Sequence, residues 1–231
     1  MTIFSHFRRS ALALGFLVTL GACANVNAPA PVQTDALVDK ARKTIEAFKV
    51  SKEPNLEGFR ERLAQASGVM ILPSVVKAGF LVGGETGHGL LLARDDQGNW
   101  SYPAFYTAGS GSVGFQLGAA LQETVIIIRS PEALAAVIKD QGRFGGEVGV
   151  AGPVIGAGKE GATTTNLGLD LIAYSRSLGA FGGLSLEGGA FVRRNDFNEA
   201  FYAPGATPEA IIAARQFSNP KADPLIAALK K

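Results

Sequence analysis

Glycine is the feature that most limits what this chain can fold into. Of its 29 glycines, 24 lie between Gly79 and Gly189, where they alternate with apolar and polar residues. Glycine inside a strand costs conformational entropy and has no side chain to pack, so this density indicates bulges, sharp bends or close approach of backbones. The pattern predicts an α+β fold that is predominantly antiparallel β, with a strongly curved, barrel-like, glycine-rich sheet and flanking helices. An open sandwich is the alternative.

Apolar runs in and before this region have the composition of strands. Residues 69–72 form a short apolar run that ends at Pro73, and residues 124–128 are Thr-Val-Ile-Ile-Ile. Residues 95–99 (Asp-Asp-Gln-Gly-Asn) predict a tight turn between two strands. Because residues 124–128 are β-branched throughout, we expect them to form a central strand.

Residues with helical spacing lie on both sides of the β region. Residues 35–50 predict an amphipathic helix, because four apolar residues recur at spacings of four, four and three: Leu37, Ala41, Ile45 and Phe48. Asn55 is predicted to cap a second helix over residues 56–66, and Pro131 to begin a third. Short helices are predicted in residues 206–231, which we interpret as a C-terminal helical extension.

The N-terminal residues have the organisation of an export signal. Arg8 and Arg9 precede an apolar run over residues 11–20, which is too short to cross a bilayer as a helix. Residues 20–23, Leu-Gly-Ala-Cys, resemble the bacterial lipobox, in which the cysteine becomes the first mature residue and carries acyl chains. We therefore expect residues 1–22 to be a lipoprotein signal peptide. An ordinary signal peptide followed by an incidental cysteine is the alternative.

Lipid attachment at Cys23 would hold the protein at a membrane without a spanning helix, since each buried methylene contributes roughly 0.8 kcal/mol. Cys23 is the only cysteine, so the mature chain has no thiol left for a disulfide or a metal. Residues 23–34 are rich in alanine and proline and predict a flexible tether. Ala24, in place of the aspartate associated with inner-membrane retention, favours the periplasmic face of the outer membrane of a Gram-negative bacterium.

The mature chain has no net charge. Residues 1–22 contain Arg8 and Arg9 and no acidic residue, so removing them leaves 22 − 2 = 20 basic and 20 acidic residues. A neutral domain has no broad electrostatic field to attract nucleic acid. We therefore expect no nucleic-acid partner, and any attraction to anionic lipid has to be local.

Three features resemble parts of enzyme sites, but each has a simpler explanation. Residues 109–114 match G-x-G-x-x-G, yet strand-like alternation follows them where a dinucleotide site needs a helix. Residues 183–187 have glutamate where a nucleophile elbow needs its second glycine. His88 is the only histidine after the signal, so neither a catalytic pair nor a zinc site can be assembled. We expect no enzyme activity, no catalytic residue, no metal and no cofactor.

The first predicted helix carries the candidate lipid-binding residues. Its basic residues lie mostly off the apolar stripe, and they are Lys40, Arg42, Lys43 and Lys49. A basic amphipathic helix can lie at the headgroup layer, where each Lys or Arg contributes roughly 1 kcal/mol near an anionic surface. Ile45 and Phe48 would then insert shallowly. A solvated helix face is the alternative, because residues 35–62 contain seven basic and six acidic residues.

The C-terminal β region resembles a known family. Residues 174–188, Tyr-Ser-Arg-Ser-Leu-Gly-Ala-Phe-Gly-Gly-Leu-Ser-Leu-Glu-Gly, closely resemble the hallmark of the SYLF domain. Further segments agree with the family in the right order: residues 78–87, 100–105, 111–118, 145–156 and 198–202. The resemblance assigns residues 35–205 to a SYLF-type domain, which is related to the actin-binding Ysc-type domain of fungi.

The resemblance implies lipid binding and not catalysis. Eukaryotic members bind phosphoinositides with the help of a basic N-terminal helix, some fungal members bind actin, and bacterial relatives are often exported lipoproteins. The implied function is a non-enzymatic envelope lipoprotein that binds anionic phospholipid or phosphoinositide-like headgroups, with no actin expected in the envelope. One alternative is a structural or partner-binding envelope protein whose only lipid contact is its acyl anchor. Another is a carrier that holds a lipid inside the curved sheet.

Overall fold

Two α-helices come first in the part of the chain that the structure describes, and four consecutive strands, one α-helix, three further strands and two more α-helices follow. The structure is a computed structural model, and it describes residues 29–80, 82–113, 118–139, 150–151, 171–178 and 189–230. The helices are α1 (Ala30–Val50), α2 (Phe59–Ala64), α3 (Pro131–Lys139), α4 (Asn195–Phe201) and α5 (Asp223–Lys230). The strands are β1 (Gly68–Phe80), β2 (Val82–Ala93), β3 (Ala104–Val113), β4 (Gly118–Ile128), β5 (Val150–Ala151), β6 (Leu171–Leu178) and β7 (Gly189–Arg193).

Three predicted features lie outside the described residues. They are the N-terminal segment that contains the signal peptide and Cys23, the family segment 145–156 apart from residues 150–151, and the second half of the family hallmark, residues 179–188. None of the helices in the described ranges combines the length and the apolar character needed to cross a membrane.

The strands form one open sheet in the order β5-β6-β4-β1-β2-β3-β7. Six strands pair antiparallel, and the two-residue β5 adds to β6 in parallel. Within the described residues, β5 and β7 are the two edges and do not pair with each other. The α+β, mainly antiparallel prediction is thus confirmed, whereas the barrel-like closure is not.

Both faces of the central strands are buried, which explains why closure is not needed to form a core. On one face, α1, α2, α4 and α5 pack over the sheet, with a core that includes Ile45, Phe48, Phe59, Phe105, Ile127, Phe197 and Leu225. The other face packs against α3 and a turn of π-helix, Glu209–Ala213, with a core that includes Met70, Tyr106, Ile126, Val137 and Ile211. Residues 206–230 therefore contribute to the same two cores as the rest of the chain.

Glycine is required where β2 passes the bulge in β1. The pairing register of β1 shifts between Ile71 and Ser74. A Cβ added to Gly89 would lie 2.5 Å from a methyl carbon of Leu72 and 2.7 Å from the carbonyl oxygen of Ile71. At Gly87, it would lie 2.6 Å from the carbonyl oxygen of Ser74. The close backbone approach predicted from glycine density is confirmed at these two positions.

Helix α1 ends at Val50 as predicted but begins at Ala30, five residues earlier than the apolar pattern indicates. Pro31 occupies the first turn, where the missing N–H of proline is tolerated. Thr34, which is buried, donates from Oγ1 to the carbonyl oxygen of Pro31 at 2.9 Å. The last five residues of the predicted tether are therefore helical.

Candidate functional site

Ile45 and Phe48, the two predicted membrane-inserting residues, lie in the core between α1 and the sheet. Their exposed fractions are 0% and 1%. The Phe48 ring packs edge-on against Phe59 at a centroid distance of 5.4 Å, and Phe59 packs in the same way against Tyr174. This corrects the prediction: the apolar face of α1 has the protein's own sheet to cover it, so the fold does not present these side chains to a membrane.

Arg42 and Lys43 lie on the outward side of α1 and are paired with acidic residues of the same helix. The Arg42 guanidinium is 2.8 Å from carboxylate oxygens of both Asp39 and Glu46, and Lys43 Nζ is 2.7 Å from Asp39. Hydrogen bonds from Lys43 and then Arg42 lower the pKa of the Asp39 carboxyl. The outward face of α1 therefore carries positive charges that are largely balanced locally.

Lys40 and Lys49 lie on opposite sides of α1. They are nine residues apart, which is about two and a half turns at 3.6 residues per turn. Lys40 is exposed and forms no ion pair with any residue that the structure describes. The four predicted cations consequently do not form one surface.

Lys49 is hydrogen-bonded to the C-terminal end of α5. Its Nζ donates to the carbonyl oxygens of Ala228 at 2.6 Å and Leu229 at 3.1 Å. A cation is favourable there because the last carbonyls of a helix lack intrahelical donors and carry the negative end of the helix dipole. Burial, and then the charge of Arg60, lower the pKa of Lys49. Lys49 was predicted to bind a lipid headgroup, but in the fold its ammonium group joins α1 to the end of α5.

A groove of about 410 Å³ opens beside Lys49. We call it the basic groove, because three further cations line it: Arg60 of α2, Arg94 directly after β2, and Lys230 of α5. Among the described residues in its lining, Glu61 is the one carboxylate. Sequence reasoning missed these three residues, since no spacing in the chain links positions that only the fold brings together.

His88 lies in a packed cluster on the sheet. Its Nδ1 is 2.9 Å from Thr107 Oγ1 and 3.2 Å from an Arg194 nitrogen, and its ring is 5.3 Å from that of Phe197. The Arg194 guanidinium lies 3.7 Å from the centre of the Phe197 ring and pairs with Asp196. Burial, and then the charge of Arg194, lower the pKa of His88.

The described part of the chain contains no group of three or more histidine, cysteine, aspartate or glutamate side chains placed to hold a metal ion. The contacts of His88 are those of a structural residue in a sheet with a stacked arginine beside it. The described surface does carry Lys and Arg side chains that are held in place by hydrogen bonds, and such side chains bind anions.

An α+β domain with one open antiparallel sheet between two helical layers is the class that the fold defines. The family model for Ysc84, described as Las17-binding protein actin regulator, matches residues 109–231. The chain belongs to this family, which confirms the family predicted from the sequence.

Curated relatives agree with this assignment. Protein YSC84 of Saccharomyces cerevisiae is 32% identical over 215 residues, covering 89% of this chain and 45% of the relative. LAS seventeen-binding protein 3 of the same yeast is 30% identical over 218 residues, covering 89% and 46%. Human SH3 domain-containing YSC84-like protein 1 is 38% identical over 142 residues, covering 61% and 41%. The chain thus spans less than half the length of these relatives. No solved structure matches it.

Proposed function

We propose that this Ysc84-family protein is a non-enzymatic envelope lipoprotein that binds anionic phospholipid headgroups at the membrane to which Cys23 anchors it. The observation that carries the proposal is the position of the first helix. Because α1 begins at Ala30, seven peptide steps separate Cys23 from the folded domain. At 3.3–3.6 Å per residue, they reach at most about 25 Å. The domain therefore stays beside the bilayer.

Charge on α1 is the means of lipid contact in this proposal. Lys40 and Lys43 are both exposed, and Lys40 has no acidic partner among the described residues. The Lys43–Asp39 pair is a surface ion pair, which contributes about 0–1 kcal/mol, so a lipid phosphate can replace Asp39 as the partner of Lys43. Each lysine near an anionic surface contributes roughly 1 kcal/mol. Since Ile45 and Phe48 are buried, α1 contributes charge and not insertion, and the acyl anchor supplies the apolar attachment.

The names of the relatives support a binding role. The family description and the yeast names refer to binding of Las17 or LAS seventeen and to actin regulation, and none of them refers to catalysis. An exported lipoprotein does not meet actin. The actin-regulating activity is therefore not carried over to this chain, whereas the use of the domain as a binding module is.

The test is co-sedimentation of a form that begins at Ala24, and so carries no acyl chain, with phosphatidylcholine vesicles that contain or lack phosphatidylglycerol. We expect recovery with anionic vesicles to exceed recovery with neutral ones and to fall as salt is added. The double variant Lys40→Gln/Lys43→Gln should lose about tenfold in affinity. The control Lys139→Gln/Arg215→Gln removes the same charge from exposed positions outside α1 and should bind like wild type. Equal recovery with both kinds of vesicle would rule out the proposal.

A partner-binding envelope protein is the second candidate, and one observation favours it. Val76 and Leu121 are paired across β1 and β4, and their exposed fractions are 46% and 48%. A protein partner that covered this sheet surface would remove both apolar side chains from water. In this case, the variant Val76→Ser/Leu121→Ser loses a partner recovered from envelope extracts, and no variant of α1 changes vesicle binding.

A further inference from the structure

The cations of the basic groove differ from most other basic residues of the fold in having no acidic partner. Arg42, Lys43, Arg176, Arg193, Arg194, Arg215 and Lys221 all form ion pairs. In contrast, Lys49, Arg60, Arg94 and Lys230 form none with the residues that the structure describes. With Glu61 as the one described carboxylate in the lining, the charge of the groove is 4 − 1 = +3. Four cations thus line the groove with one carboxylate beside them, and carbonyl groups at the ends of α5 and α2 offset part of the charge of Lys49 and Arg94.

Two of these cations are held in place by the protein backbone. Lys49 donates to two carbonyl oxygens at the end of α5, and Arg94 donates to the carbonyl oxygen of Ala64 at the end of α2. An ammonium group has three N–H donors and a guanidinium has five, so both groups keep donors that point to no described protein acceptor. The cost of ordering these side chains is therefore already met in the free protein, as preorganised binding requires.

The other two cations are free to close on a ligand. Arg60 and Lys230 are exposed, and they come from α2 and α5. Arg60 is close enough to Lys49 for its charge to lower the pKa of that ammonium. An anion between them would relieve this repulsion and convert it into attraction.

We propose that the basic groove is a binding site for a phosphomonoester group, carried either by a phospholipid headgroup such as that of phosphatidic acid or by a soluble phosphate ester. Phosphate fits the donor set, because a phosphomonoester carries a charge of about −1.5 to −2 and three strong acceptor oxygens. Guanidinium groups match it with paired donors and ammonium groups as point charges. A carboxylate, with one charge and two oxygens, would leave most of the positive charge unbalanced.

The groove is larger than a phosphate ion needs. Its volume is about 410 Å³, and Leu63, Trp100 and Leu229 supply apolar lining beside the cations. Pockets of this size hold small organic ligands. The organic part of a phosphate ester, such as a glycerol or a sugar, is therefore the group that lies against the apolar lining. The site is independent of the proposed α1 contact, since it lies on the Lys49 side of the helix and uses neither Lys40 nor Lys43.

The experiment is calorimetric titration of the form that begins at Ala24, which carries no acyl chain, with inorganic phosphate and with glycerol 3-phosphate, followed by flotation with phosphatidylcholine vesicles that contain or lack phosphatidic acid. The variant Arg60→Gln/Lys230→Gln removes two exposed charges and leaves the backbone-bound Lys49 and Arg94 intact, so the fold is retained. Lys139→Gln/Lys221→Gln is the matched control, with the same change of charge at two exposed positions that lie outside both the groove and α1.

We expect the groove variant to lose at least about tenfold in affinity for glycerol 3-phosphate, while the control binds it like wild type. If the soluble probes do not bind but the groove variant loses phosphatidic acid vesicles and the control keeps them, the site is a headgroup site. Binding that is the same in wild type, groove variant and control would overturn the proposal, as would an absence of binding to inorganic phosphate, glycerol 3-phosphate and phosphatidic acid vesicles alike.

Discussion

Lys49 Nζ donates to the carbonyl oxygen of Ala228 at 2.6 Å, and this contact joins the C-terminal end of α1 to the C-terminal end of α5. The two residues are 179 positions apart in the chain. Lys49 thus has two roles: it stabilises the contact between the first and last helices, and it lines the basic groove. A change at Lys49 would mix the two effects, which is why the binding tests leave it intact.

Replacing Lys49 with methionine should destabilise the fold. Lys49→Met keeps most of the apolar stem but removes the charged donor that binds two helix-end carbonyls, and hydrogen bonds of this kind contribute about 1.5–3 kcal/mol. Urea unfolding should therefore show a loss of about 2 kcal/mol. Lys43→Met is the matched control, because the Lys43 side chain is 64% exposed and its surface ion pair contributes less than about 1 kcal/mol. Equal stability of the two variants would contradict the role assigned to Lys49.

Gly89 and Gly109 should respond differently to the same substitution. Gly89→Ala places a methyl group 2.7 Å from the carbonyl oxygen of Ile71, and relief of such overpacking costs about 1–3 kcal/mol. At Gly109, the nearest atom to an added Cβ is the carbonyl oxygen of Glu85 at 3.8 Å, which is ordinary contact. Gly109→Ala should change the free energy of unfolding by less than about 0.5 kcal/mol. Thermal unfolding of both variants is the measurement, and equal losses would show that the bulge does not set the need for glycine.

The sequence alone predicted the features that depend on residues close together in the chain. Glycine density predicted an antiparallel sheet with close backbone approach, and Pro131 predicted the start of α3, where Ser130 Oγ accepts from the N–H of Ala133. Asn55 shows where local reasoning fails. Predicted to cap a helix, it instead donates from Nδ2 to the carbonyl oxygen of Ser175 at 2.6 Å, and Gly58, with a φ of 73°, precedes α2.

The candidate site shows a second limit. The apolar stripe of α1 has the same pattern whether it packs on a sheet or enters a bilayer, because both surroundings are apolar, and only the fold distinguishes them. The basic groove has no pattern at all in the sequence. Its cations come from positions 49, 60, 94 and 230, and two of them are placed there by carbonyl groups at helix ends.

Phe48 distinguishes a core residue from a membrane-inserting one. Phe48→Ala removes a buried ring from the contact with Phe59 and should cost about 3–5 kcal/mol of stability. A residue that inserts into a bilayer would instead lower vesicle binding without loss of stability. Val50→Ala is the control, because Val50 is 78% exposed near the end of the same helix. Guanidinium unfolding and vesicle co-sedimentation of both variants separate the two outcomes, and an unchanged stability for Phe48→Ala would contradict its place in the core.

His88 should make the fold less stable as the solution becomes acidic. Burial and the charge of Arg194 lower the pKa of His88, while Asp196 acts in the opposite direction. Because the pKa is lower in the folded state, the unfolded chain binds a proton first as the pH falls. The contribution of His88 is then fully present above the ordinary histidine pKa of about 6.5 and is lost progressively as the pH decreases from there towards the folded value.

The measurement is the free energy of unfolding of wild type and His88→Gln between about pH 8 and pH 5, taken as a difference so that the carboxylates common to both chains cancel. The advantage of wild type over the variant should shrink as the pH falls. Parallel curves would show that His88 titrates alike in both states. A growing advantage would mean that Asp196 outweighs burial and Arg194, so that the ring is stabilised in its charged form.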